Sequence, residues 1–144
     1  MPFVYRSWAS LNGAAKVDTG ECARLVQVYA PQVGHTSTWK PGERVLDILE
    51  RGGTIEPGTA VANFVNGRYP ASGRRHAAFY EGPVIGSSGK LMGIILIDQW
   101  NPGPGQPART TIKRRTVRSQ GKMRQDGSFP LLSDNAEAFY VISH

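Results

Sequence analysis

An α+β fold is what this sequence predicts: one early helix, then a mostly antiparallel sheet. Three observations predict it. The one clear helical periodicity falls between about Gly20 and Tyr29. The apolar runs from Thr59 onward are short and rich in strand-forming residues. Helix and strands are thus segregated along the chain instead of alternating, which argues against a parallel α/β arrangement. The 17 glycines and 10 prolines among 144 residues also favour short strands and turns over long helices.

Residues 1–18 read as irregular, with Trp8, Leu11 and Val17 as apolar anchors. In the predicted helix, Cys22, Leu25, Val26 and Tyr29 recur at i, i+3, i+4 and i+7, the spacing of one buried face. Thr19 or Asp18 is expected to cap its N-terminus, and Glu21 sits where the helix dipole favours an acid. Pro31 ends it. Trp39 to Glu43 reads as a loop, and Val45 to Leu49 as a helical turn or a strand. Thr59 to Val65 is a strand closed by a hairpin-type turn at Asn66-Gly67. Arg68 to Gly73 is a loop. His76 to Tyr80 begins a second strand, ended by Gly82-Pro83. Leu91 to Trp100 (LMGIILIDQW) is apolar almost throughout, as suits a central strand covered on both faces. Residues 101–107 form a loop, Thr110 to Ser119 a fourth strand, and Phe139 to Ser143 a last one.

The size predicts a single domain, residues 1–144. Hydrophobic residues make up 40% and charged residues 19%, ordinary values that argue against disorder. No stretch approaches the roughly 20 apolar residues of a membrane helix. The N-terminus lacks the basic-then-apolar order of a signal peptide. The expectation is a protein made in the cytoplasm, and carried out of the cell, if at all, by a non-Sec route. One cysteine rules out an internal disulfide. Together with three scattered histidines, it predicts no metal site. The net charge of +6 is concentrated in residues 109–124. There Arg109, Lys113, Arg114, Arg115, Arg118, Lys122 and Arg124 occur without an acid, a stretch that attracts polyanions or an acidic partner.

A lone cysteine is either a small buried hydrophobe or a reactive thiol. Its position near a helix N-terminus brings the second level with the first. Unpaired N–H groups there stabilise a thiolate, the form that attacks a carbonyl, and can then hold an oxyanion. His76, at the start of a strand expected to lie between Thr59–Val65 and Leu91–Trp100, is the natural general base. Asp98 ends the most apolar strand, where a carboxylate is costly to bury without a partner. On an adjacent strand it can orient the imidazole. Gln99 is the alternative orienting group. His35 and His144 read as surface residues, and Trp39 and Trp100 as cleft lining or core.

That order of groups is the layout of the papain-like superfamily. Gly20-Glu21-Cys22-Ala23-Arg24-Leu25-Val26, Trp39-x-Pro41-Gly42, Gly58-Thr59-Ala60-Val61-Ala62, His76-Ala77-Ala78-Phe79-Tyr80 and Asp98-Gln99-Trp100 together resemble the small bacterial cell-wall amidases of CHAP and NlpC type. They resemble most closely small proteobacterial proteins related to amidase effectors. The resemblance covers most of residues 18–100. It implies a papain-like fold, with the helix carrying Cys22 packed on a four- to six-stranded antiparallel sheet. It also implies hydrolysis of peptidoglycan amide bonds by Cys22, His76 and Asp98. Glu21, Gln99 and Trp100 are then candidates for oxyanion or substrate contacts. No cofactor is implied; an immunity or inhibitor protein is a possible partner, and a monomer is expected. An upstream oxyanion donor has no clear match beyond Asn12 or Lys16.

Two other functions compete. One is an inactive papain-like interaction module. The other is a nucleic-acid binder using residues 109–124, although that stretch has no aromatic residues on which bases could stack.

Overall fold

The first helix, α1, spans Cys22–Tyr29. It forms because its apolar residues share one face: Leu25 and Val26 are fully buried, and Ala23 and Tyr29 pack against the same core. The helix begins two residues later than the periodicity predicts. Its N-cap is Glu21, and no side chain makes a cap hydrogen bond there. Neither Thr19 nor Asp18 caps it; Asp18 instead pairs with Arg24. Cys22 is therefore the first helical residue. Pro31 stops the helix and opens a short 3₁₀ turn, Pro31–Val33.

The computed structural model describes residues 2–144. They hold a six-stranded sheet in the order β1-β6-β2-β3-β4-β5, every neighbouring pair antiparallel. The strands are β1 (Lys40–Arg44), β2 (Ala60–Asn63), β3 (Ala77–Ile85), β4 (Leu91–Asp98), β5 (Lys113–Arg118) and β6 (Phe139–Ser143). A second helix, α2, covers Val45–Glu50, which settles that segment as helix. The predicted α+β class holds, and the six strands fall within the four to six that the resemblance implies, one more than the five read from the residues.

Two predictions fail for identifiable reasons. Residues 40–43, expected in a loop, belong to β1. That strand lies at the sheet edge, where Pro41 forfeits no ladder bond on the open side. Likewise, β3 does not end at Gly82-Pro83. The pairing with β4 shifts register between Tyr80 and Gly82, so a bulge carries the strand onward. Beyond Phe79 no β2 residue pairs with β3, so Pro83 faces an open side.

Apolar side chains cover both faces of the sheet. Leu25, Val26, Phe79 and Ile97 lie in one cluster. Val45, Leu46, Ala78, Tyr80, Leu96 and Phe139 lie in the other. Alternation along β3 sends Phe79 to one side and Tyr80 to the other, so both are buried. Truncating Phe79 to alanine should cost about 3–5 kcal/mol, the usual range for a buried aromatic. No helix among the described residues is long and apolar enough to cross a membrane.

Candidate active site

The sheet register brings His76 to Asp98. Phe79 pairs with Ile97 and Tyr80 with Leu96. Continuing that count sets His76, one residue before β3, across from Trp100. His76 and Asp98 are then diagonal neighbours on one face, within side-chain reach. The Nε2 atom of His76 lies 2.7 Å from Oδ2 of Asp98. With Nε2 on the carboxylate, Nδ1 is the ring nitrogen left for Cys22, the next group in the site. The His76 backbone is anchored too, its carbonyl accepting from Asn63 N–H at 2.9 Å.

Cys22 is partly exposed at the start of α1. As the first helical residue it carries a backbone N–H that no intrahelical carbonyl can take. Its Sγ lies 3.6 Å from the Tyr69 hydroxyl. Burial pushes the thiol up. The hydrogen bond and charge of His76, the Tyr69 hydroxyl and the Ala77 backbone N–H outweigh that and bring it down to about 7. Burial pushes His76 down, but Asp98's charge and hydrogen bond, aided by Cys22, raise it to about 9. The thiol is lowered and the imidazole raised, and both directions favour a thiolate beside an imidazolium.

Asp98 is fully buried and fully partnered. Besides His76 it accepts from Arg109 Nη2 at 2.7 Å and from Arg115 Nε at 2.9 Å. Burial raises its pKa; His76 and Arg115 outweigh burial and hold it below the ordinary carboxylate value. Both arginines come from the basic stretch that the sequence suggests attracts polyanions or an acidic partner. The register explains the selection. Lys113 pairs with Asp98 and Arg115 with Leu96, so Arg115 turns to the Asp98 face. Arg114 turns away and binds Glu81 at 2.6 Å. Trp100 packs on this network, with the guanidinium of Arg109 3.5 Å from its ring centre and that of Arg115 at 5.2 Å.

Gln99 does not reach the imidazole. It is buried, and its amide clamps the approach to α1: Oε1 accepts from Val17 N–H at 2.9 Å, and Nε2 donates to Glu21 O at 2.8 Å and Val17 O at 3.1 Å. The side-chain contact on His76 is made by Asp98, and Gln99 holds the backbone just ahead of Cys22. Glu21 enters through that carbonyl, while its side chain is exposed. Both suggested upstream donors are tied to neighbouring segments. Asn12 Oδ1 accepts from Arg114 N–H, and Lys16 Nζ donates to Trp100 O and Asn101 Oδ1. Gly20, at φ 84°, fits where a Cβ would collide with Asn101.

Tyr69, Arg109 and Arg115 are the residues that sequence reasoning missed. The alternation of Arg114 and Arg115 against a strand ending in a buried acid was the available signal for Arg115. Tyr69 lies in a loop and offered none. Among the described residues no group of three or more His, Cys, Asp or Glu side chains could hold a metal ion.

The family described as "Domesticated amidase effector 2" matches residues 6–142. A "Type VI secretion amidase effector 2 protein" of Salmonella typhi is 36% identical over 146 residues, covering 99% of each chain. The solved structure of a "Type 6 secretion amidase effector 2 (Tae2)" superposes with a TM-score of 0.81 at 35% identity, over 99% of this chain and 94% of that one. The chain belongs to the domesticated amidase effector 2 family, an amidase-effector family of the papain-like superfamily.

Proposed function

We propose that the chain is a single-domain cysteine amidase that hydrolyses an amide bond of peptidoglycan, with Cys22 as nucleophile, His76 as base and acid, and Asp98 as orienting carboxylate. The observation that carries the residue roles is the 2.7 Å contact from His76 Nε2 to Asp98, which leaves Nδ1 for the thiol. Membership of an amidase-effector family supports the reaction class and the wall polymer as substrate.

The Cys22 thiolate attacks the amide carbon, and the carbonyl oxygen becomes an oxyanion facing the free N–H groups at the start of α1. As the tetrahedral intermediate collapses, His76 passes its proton to the leaving nitrogen, and the amine departs from a thioester. Water, deprotonated by His76, then attacks the thioester. The carboxylic acid leaves and the thiolate–imidazolium pair is restored. Asp98 keeps the imidazole in one tautomer and stabilises its charged form.

Names that include type VI secretion support delivery by a non-Sec route to a target cell's periplasm, and make a cognate immunity protein a reasonable partner. The nucleic-acid alternative loses ground because Arg109 and Arg115 are committed to Asp98 and Arg114 to Glu81. The inactive-module alternative loses ground because the chain belongs to an amidase-effector family.

The test is digestion of purified peptidoglycan by the wild type and by Cys22→Ala, with fragments identified by mass. Fragments released by the first and absent with the second support the reading, and their masses name the bond. No release by the wild type, where a known amidase works, overturns it.

A further inference from the structure

A groove of about 980 Å³ opens beside Tyr69, the residue whose hydroxyl lies 3.6 Å from Cys22 Sγ. Its volume falls in the range of sites that enclose a small ligand, about 300–1,000 Å³. Tyr69 forms an aromatic wall backed by the buried Trp39, their ring centres 4.9 Å apart. The charged side chains along it are Lys40, Arg68 and Arg75, and among the described residues no Asp or Glu lines it. Arg75 is held in place, its Nη1 donating to Pro70 O at 2.7 Å and its guanidinium 5.4 Å from the Tyr69 ring centre. Lys40 and Arg68 are exposed and form no ion pair within the described residues. Other arginines are paired internally: Arg44 with Glu137, and Arg109 and Arg115 with Asp98. Three cations left together, against an aromatic wall that leads to the thiol, make a receptor for an anion on an amphipathic ligand.

We propose that this groove is a substrate subsite for a peptide segment bearing at least one free carboxylate, which Arg75 binds and Lys40 and Arg68 attract. The idea rests on the amidase reading and adds substrate discrimination to it. A peptide amide within reach of Cys22 is preferred when a carboxyl a few bonds away is free, and disfavoured when that carboxyl is amidated. Amidation removes the charge and puts donors where the guanidinium already donates.

The test uses two muropeptides that differ only in whether one stem-peptide carboxyl is free or amidated. Their kcat/KM ratio is measured for the wild type, for Arg75→Gln and for the doubly substituted Lys40→Gln/Arg68→Gln. Lys90→Gln/Arg118→Gln removes equal charge from exposed sites near the β4 and β5 strands. Binding of the same pair to Cys22→Ala, alone and combined with each groove change, is measured by titration. The expected result is a wild-type preference for the free acid of about tenfold or more, the scale of a charge-assisted hydrogen bond. That ratio falls toward one in both groove variants, through KM, and is kept in Lys90→Gln/Arg118→Gln. Equal use of the two substrates by the wild type, or an equal loss of preference in the Lys90→Gln/Arg118→Gln control, overturns the subsite. If neither substrate is cleaved, the amidase reading fails separately. The Cys22→Ala titrations still decide the groove, carboxylate-dependent binding supporting it and its absence overturning it.

Discussion

The Nε2 atom of His76 lies 2.7 Å from Oδ2 of Asp98, with both residues buried. The contact is between charges and not only a hydrogen bond, because Asp98's charge is the leading influence that raises His76 to about 9. Asp98→Asn keeps the shape and deletes the charge. His76 should titrate lower, and kcat should fall by about 10³-fold or more, as when an asparagine replaces the orienting acid of a catalytic histidine. Steady-state kinetics and NMR titration of the imidazole check both parts.

Arg115 bridges Asp98 to Asp134 and Ser133, across otherwise separate segments. Replacing it with methionine leaves a buried carboxylate short of a partner. The expected loss is about 3 kcal/mol or more in urea unfolding at neutral pH. The loss should also depend on pH in a defined sense. Asp98 is held below its ordinary value in the fold, so its stabilisation is full above that ordinary value and fades as pH falls through the folded one. With Arg115 gone the folded value rises, and the acid limb of the stability curve should move to higher pH.

The Tyr69 hydroxyl lies 3.6 Å from Cys22 Sγ. Burial, then the charge and hydrogen bond of Cys22, hold its own pKa far above the ordinary range, so it stays a donor at every working pH. Tyr69→Phe should raise the thiol pKa and slow Cys22 alkylation at pH 7 by several-fold, the worth of one lost hydrogen bond to an ionised group. An unchanged alkylation profile would show that the hydroxyl does not bond the thiolate.

Gln99 makes all three of its amide contacts to the backbone just before α1. Gln99→Leu should leave Val17 N–H and Glu21 O without those partners, at about 1–3 kcal/mol. It should lower kcat and the alkylation rate of Cys22 together, since the same clamp sets where the thiol sits. Thermal melts and alkylation rates on one preparation separate lost stability from lost positioning.

Much of this was legible in the chain. Phe139 to Ser143 reads as a strand and is one, and the apolar run from Leu91 becomes an interior strand covered on both faces. Cys22 at a helix start and His76 at a strand start follow from local pattern alone. What escaped was long-range or disguised. Pro41 and Gly42 made an edge strand look like a loop, and a bulge hid the continuation of β3 past Gly82. Arg109 and Arg115 read as part of a run that attracts polyanions, because nothing local shows that an acid on the neighbouring strand needs them. Tyr69 gains its role only through a loop packed beside α1.

The central claim is that His76, held by Asp98, keeps Cys22 as a thiolate. The chain has one cysteine, so its alkylation rate against pH reports that thiol alone. The wild-type rate should rise through about pH 7, as the thiolate forms, and His76→Ala should move the midpoint up toward the ordinary thiol value of 9.0. A wild-type midpoint already at the ordinary value, or one that His76→Ala leaves unmoved, would contradict the account.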